Sequence, residues 1–111
     1  QRPWLKSYAP GVPAEIDADD PPHLAALFER AAARFADRPC LRSFGAELDY
    51  AEVDRLSAAF AAYLLHELEL APGDRVALVL PNILAYPVAL FGVLRAGLVV
   101  VSLNPLYKER E

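Results

Sequence analysis

Lysine is nearly missing from these 111 residues: Lys6 and Lys108 are the only two. A phosphate-binding turn of the P-loop kind ends in a lysine and needs clustered glycines whose N–H groups surround the anion. The five glycines (11, 45, 73, 92 and 97) are scattered, which excludes such a turn. Cysteine occurs once, at Cys40, so no internal disulfide forms and a reducing compartment fits. Histidine occurs twice, at His23 and His66, too far apart for zinc spacing. Net charge of −4 argues against nucleic acid as a partner, because such a partner needs a basic face to displace counterions. The amino terminus lacks the basic-then-apolar order of a secretory signal. A stretch free of charge does run between Arg75 and Arg95, but Pro81, Asn82 and Pro87 interrupt it. A membrane span needs about 20 apolar residues in unbroken helix. A soluble chain is therefore expected.

What the sequence has in excess is apolar residues, 55% of the total. One domain of this size, or a piece of one, buries on the order of 65% of the surface its unfolded form exposes. So rich a composition suggests surfaces that expect a partner, either another chain or further parts of this one. The most informative stretch is Pro72–Tyr107. Pro72-Gly73-Asp74 is a turn, and Arg75–Pro81 is a valine and leucine run of strand length. Asn82–Gly97 carries a helical pattern, and Leu98–Pro105 is a second buried run. Two strands apolar on both faces, joined by a helix, predict a parallel pair covered from both sides, with a right-handed crossover. The expected class is α/β: part of a three-layer sheet, with a parallel βαβ unit, a short hairpin and flanking helices.

Residues 1–22 hold five prolines and no helical or strand period, which predicts an extended arm. Trp4, Leu5 and Tyr8 could pin it to a surface. Asp20-Pro21 reads as a helix N-cap followed by proline at the first helical position. Leu24, Leu27, Phe28, Ala31 and Phe35 then draw one apolar stripe, and Asp37-Arg38-Pro39 stops the helix. Cys40–Phe44 and Glu47–Tyr50 flank Gly45-Ala46 as a hairpin. Asp49 with Glu52 resembles a capping box for a second helix whose apolar face is Val53, Leu56, Phe60, Tyr63 and Leu64, continued by Leu68. Alanines 58, 59, 61 and 62 favour close approach of neighbours. Pro72-Gly73 should end that helix. A third helix over Ile83–Ala96 is apolar almost all round, which predicts packing on two sides; Gly97 should close it. Lys108–Glu111 reads as the polar start of another helix.

Few residues are placed for chemistry. Cys40 reads as a small buried hydrophobe at a strand start. Ser7, Ser43, Ser57 and Ser102 lie in no nucleophile motif. Asp17, Asp19 and Asp20 belong to the arm and read as solvated. Asp54 and Arg55 read as a wet helix face. Asn82 and Asn104, each at the carboxyl end of a strand, are the polar residues placed where open α/β sheets bind ligands. Satisfying loop backbone groups is the simpler use of both. The residues thus describe a scaffold, with catalytic, cofactor and metal residues all read as none.

Leu48–Leu64, Pro72–Asn82, Tyr86–Gly97 and Val99–Tyr107 resemble, in order and spacing, the amino-terminal region of the adenylate-forming enzymes, above all the bacterial long-chain fatty acid–CoA ligases. PGDRVAL (Pro72–Leu78) and LRAG (Leu94–Gly97) are shared across that superfamily; YPVALFG (Tyr86–Gly92) with NPLY (Asn104–Tyr107) is more specific to the fatty acyl branch. The leader Trp4–Ile16 resembles the start of those enzymes and places residue 1 near their amino terminus. Asp49 stands where the family more often has threonine, and Lys108-Glu109-Arg110 where Thr-Pro-Arg is commoner.

The resemblance implies a parent that uses ATP, magnesium and coenzyme A to turn a fatty acid into an acyl-adenylate and then a thioester. It also implies that the phosphate loop, the Tyr-Gly-x-Thr-Glu segment, the ribose aspartate and the late lysine lie beyond Glu111. The expectation is a framework piece: residues 1–22 as an arm, 23–111 as the start of the adenylation domain. By itself it neither binds ATP tightly nor forms acyl-CoA. It is expected to self-associate through an unpaired sheet edge, in a cytoplasmic parent with possible peripheral membrane contact. The alternatives are a stand-alone interaction module, or a sibling enzyme acting on another acid.

Overall fold

The computed structural model describes residues 2–108. The class is α/β. Five elements before residue 75 build one half: helix α1 (Leu24–Phe35), strands β1 (Pro39–Ser43) and β2 (Ala46–Asp49), helix α2 (Tyr50–His66) and, ahead of them, a short 3-10 turn at Pro3–Ser7. The other half is the predicted unit, β3 (Arg75–Val79), α3 (Ala85–Arg95) and β4 (Val99–Leu103). β3 and β4 pair in parallel, Arg75 opposite Val99 through Val79 opposite Leu103. β1 and β2 pair antiparallel around Phe44-Gly45, with a bulge at Cys40. Both turn residues have positive φ, 49° and 82°, the geometry of a type I′ hairpin turn.

Local sequence sets the element ends. Asp49 caps α2: its carboxylate accepts the Glu52 N–H at 2.7 Å, and the Glu52 carboxylate accepts the Asp49 N–H at 3.1 Å. This is the expected capping box. α3 closes through Gly97 at φ 73°, with Leu98 N–H donating to the Val93 carbonyl at 3.1 Å. α2 ends sooner than Pro72-Gly73 led one to expect. Glu69 takes φ 52° and the Leu70 N–H donates to the Leu64 carbonyl, so the chain turns out of the helix there and Leu68 lies outside it. The first helix departs from expectation as well. Its cap is His23, whose Nδ1 accepts the Ala26 N–H at 3.1 Å, and neither Asp20 nor Pro21 takes that part. Pro22 supplies the reason: a residue before proline is pushed out of helical geometry, so Pro21 cannot open a helix.

Two apolar cores share α3 between them. One gathers Ala61, Leu64, Leu78, Val93, Ala96 and Leu98 where α2 and α3 meet the parallel strands. The other gathers Phe28, Ala32 and Val53, with Leu41, Leu48, Val88 and Phe91 against them. The Phe28 and Phe91 rings stack with centroids 4.1 Å apart. α3 is thus packed on two sides, as its all-round apolarity predicted. The faces of α1 and α2 are rotated from the expected ones. α1 buries Ala25, Phe28 and Ala32 while Leu24 and Leu27 stay exposed. α2 buries Val53, Ser57, Ala61 and Leu64, with Tyr63 and alanines 58, 59 and 62 exposed. Small residues face inward because the helices approach closely. A Cβ placed on Gly92 would lie 3.0 Å from the Ser57 carbonyl oxygen.

The parallel sheet is covered on one face only. Val76, Leu78, Leu98 and Val100 meet the helices, whereas Val79, Val99 and Leu103 are exposed on alternate positions. The expectation of cover on both sides is therefore not met within the described residues. The arm also differs: it holds the 3-10 turn, and Trp4 and Tyr8 are exposed and pin it to no other element. Lys108 is not helical, and the rest of the expected fourth helix, residues 109–111, lies outside the described residues.

Candidate functional site

The carboxyl ends of β3 and β4 open into a cleft of about 500 Å³. Asn82 and Asn104 both line it, with Pro81, Tyr86 and Ser102. A parallel pair delivers its two carboxyl ends to one rim, which is why residues 22 positions apart meet here. The Tyr86 hydroxyl and Ser102 Oγ lie 2.7 Å apart, tying the first turn of α3 to β4. Asn104 Oδ1 accepts the Leu106 N–H at 3.0 Å, so its side chain serves the loop, as the simpler reading held. A second cleft of about 190 Å³, lined by Leu41, Arg42, Ser43, Ile83, Leu84 and Pro87, adjoins the first through Asn82 and Tyr86.

Among the described residues no charged side chain lines the larger cleft. Its walls offer apolar contact and a few neutral hydrogen bonds. A triphosphate or a metal ion requires preorganised charge, which the described residues of this rim do not supply. Among the described residues no three His, Cys, Asp or Glu side chains group closely enough to hold a metal ion. His23 is spent on capping, and His66 is the exposed last residue of α2. Asp17 Oδ1 accepts the Asp19 N–H, and Asp20 pairs with Arg30 at 2.6 Å. That hydrogen bond and the guanidinium charge hold the Asp20 carboxyl below its usual range. Burial first, then the charge of Asp49, pushes the Cys40 thiol up, which keeps it protonated and poorly nucleophilic. No helix among the described residues is long and apolar enough to cross a membrane.

The polar group that sequence reasoning missed is Arg95. Its side chain is only 17% exposed, and it joins all three helices. Its guanidinium lies 3.3 Å from Glu29 of α1 and 2.8 Å from Asp54 of α2. It also donates to the Asp54 carbonyl and to Ser57 Oγ, each at 2.9 Å. Ser57 is fully buried and in turn donates to the same carbonyl at 3.0 Å. Asp54 is therefore half-buried and engaged, which corrects its reading as a wet surface residue; Arg55 is exposed as expected. A signal did exist. Arg95 ends an apolar helix and has no acidic residue within four positions on either side, so its partner had to come from elsewhere in the fold.

Comparison with known proteins extends the picture. Residues 28–111 match the AMP-binding enzyme family. A long-chain-fatty-acid–CoA ligase of Yersinia pestis is 52% identical over 111 residues, which is 100% of this chain and 20% of that protein. The ligase of the same name from Salmonella typhimurium is 53% identical over 108 residues, covering 97% of this chain and 19% of its own. Among solved structures, the N-terminal subdomain of Klebsiella oxytoca NpsA superposes with a TM-score of 0.73 at 26% identity, over 78% of this chain and 23% of that one. The chain spans about a fifth of the length of the curated relatives it matches.

Proposed function

The chain belongs to the AMP-binding enzyme family, and from that premise we propose that it is the amino-terminal framework of a long-chain fatty acid–CoA ligase. The observation that carries this reading is identity above one half, 52% and 53%, to ligases of that name along essentially the whole chain. Residues 1–22 serve as an arm and 23–111 as the start of the adenylation domain. The parent joins a fatty acid to ATP as an acyl-adenylate, releases pyrophosphate, and passes the acyl group to coenzyme A. The described residues that line the larger cleft offer no charge to hold magnesium or triphosphate. Catalytic, cofactor and metal residues are accordingly assigned to other parts of the parent.

The role of this chain is mechanical. The Arg95 clamp fixes α3, the Tyr86–Ser102 contact fixes the rim of β4, and the bare face of the sheet receives the third layer of the parent. In isolation that bare face and the two unpaired strand edges favour self-association, to be checked by sedimentation velocity; a monomer at high concentration would refute it. The parent works in the cytoplasm, with peripheral contact at the inner membrane, where a long-chain acid partitions. The ligase reading is tested by supplying the full-length parent with palmitate, Mg-ATP and coenzyme A. Palmitoyl-CoA, AMP and pyrophosphate are expected in equal amounts. Turnover of salicylate or acetate in preference to palmitate would reassign the acid.

A further inference from the structure

α1 and α2 are both capped by a side chain, and the two caps differ in chemistry. α2 uses the carboxylate of Asp49. α1 uses an imidazole: His23 stands in extended backbone, φ −160° and ψ 166°, and its Nδ1 accepts the Ala26 N–H at 3.1 Å. The usual caps are serine, threonine, aspartate and asparagine, none of which takes up a proton near neutral pH. A neutral imidazole has one nitrogen that accepts and one that donates, whereas a protonated one donates from both. The cap bond therefore exists only while Nδ1 keeps its lone pair. Imidazole is the side chain type that changes charge between about pH 8 and 5.

No ion-pair partner among the described residues stands by to balance the charge that a proton would bring to His23. Of the arm's carboxylates, Asp20 grips Arg30 through both oxygens, at 2.6 and 3.3 Å; Asp17 accepts the Asp19 N–H, and Asp19 makes no ion pair. On the two helices packed against α1, Asp54 and Arg95 face it, and Arg95 binds both Asp54 and Glu29. The positive pole of the helix dipole lies at the α1 start and repels a cation. What the first turn carries is the seating of α1. Ala25 and Phe28 are its first buried residues, and Phe28 stacks on Phe91 of α3.

We propose that His23 makes the start of α1 a proton-sensitive latch, which holds the first turn closed while its imidazole is neutral and releases that turn, with the seating of Phe28 on Phe91, once the ring is protonated. The folded turn requires the unprotonated ring and the frayed turn accepts either form. The stabilisation is thus present at the alkaline end and is lost as pH falls. Release stays local, because two other ties survive the change. Glu29 keeps Arg95, and Asp20 keeps Arg30, its carboxyl held below the usual range by that hydrogen bond and charge. His66, at the opposite pole of α2, gives the opposite sign: a proton there adds charge that a helix C-terminus favours.

The test follows amide hydrogen exchange in the full-length parent at about pH 8 and pH 5.5, a span that brackets imidazole titration. Mass spectrometry of fragments covering Leu24–Phe35 reads it, as protection relative to the unstructured peptide, which removes the intrinsic effect of pH. On acidification the first turn of α1 should lose about fivefold to tenfold in protection, while fragments from Tyr50–His66 keep theirs. His23→Asn, a cap that does not titrate, should keep its protection at both pH values. His23→Ala, with no cap, should be as poorly protected at pH 8 as the wild type is in acid. A wild type whose α1 protection ignores pH overturns the latch. An equal acid loss in His23→Asn overturns it too, since the proton would then act elsewhere. So does His23→Ala protected like the wild type at pH 8, since the bond would then hold nothing. None of these readings depends on ligase activity, so this inference and the ligase reading fail independently.

Discussion

Arg95→Met is expected to destabilise the chain by about 2–4 kcal/mol, the loss of a charge-assisted cluster whose remaining members stay in place. Methionine keeps most of the aliphatic packing, so the loss reports on the guanidinium. Glu29 and Asp54 are about half-exposed, at 51% and 42%, and recover water, which is why the expected cost stays below that of a wholly buried pair. Ser57 is fully buried and keeps its bond to the Asp54 carbonyl but loses its donor from Arg95. Arg95→Lys should rescue little, because a single ammonium cannot serve Glu29, the Asp54 carboxylate and carbonyl, and Ser57 together. For a chain of this size the loss corresponds to a fall of about 10–20 °C in melting temperature, readable by far-ultraviolet circular dichroism. A fall of less than about 2 °C would remove the clamp from the account.

Gly92→Val is expected to cost about 3 kcal/mol, the upper part of the range for overpacking a filled core. An added Cβ would lie 2.8 Å from Phe60 Cδ1, 3.0 Å from the Ser57 carbonyl oxygen and 3.1 Å from Phe60 Cβ. The ring can turn away, but the carbonyl is α2 backbone and yields only if the two helices separate. Gly92→Ala is the sharper test. Alanine gains about 1 kcal/mol of helix propensity over glycine, so a net loss means that contact outweighs propensity. Stabilisation by Gly92→Ala would show that the two helices have room to spare. The same close approach selects Ser57 and Ala61, the small residues that α2 buries.

The parallel unit and its punctuation could be read from sequence because the signals are local. A strand-length apolar run, a capping box spanning four residues and a glycine at a helix end are each local features of the chain. The faces of α1 and α2 were harder. Hydropathy counts Leu24 and Leu27 as core, yet the close approach of helices selects Ala25 and Ala32. Size governs there, and size depends on a neighbour that periodicity does not show. Pro22 was local and sufficient to forbid Pro21 as a helix start, so that error lay in weighing Asp20-Pro21 alone.

The Arg95 cluster draws on residues 41 and 66 positions away, at Asp54 and Glu29, and no local pattern connects them. The cleft was half legible: the ends of two parallel strands placed Asn82 and Asn104 together, while the Tyr86–Ser102 contact required the crossover helix to be set. The bare face of β3 and β4 follows from valines at alternate positions with no described element to cover them. It is the structural counterpart of a chain that spans a fifth of its relatives.

The central claim is that these residues furnish framework while activation chemistry belongs elsewhere in the parent. It is tested most directly by incubating the isolated 111-residue chain with palmitate and radiolabelled Mg-ATP, and scoring acyl-adenylate. The account predicts none above the protein-free control, under conditions where the full-length parent forms it. Acyl-adenylate from the isolated chain would contradict the account.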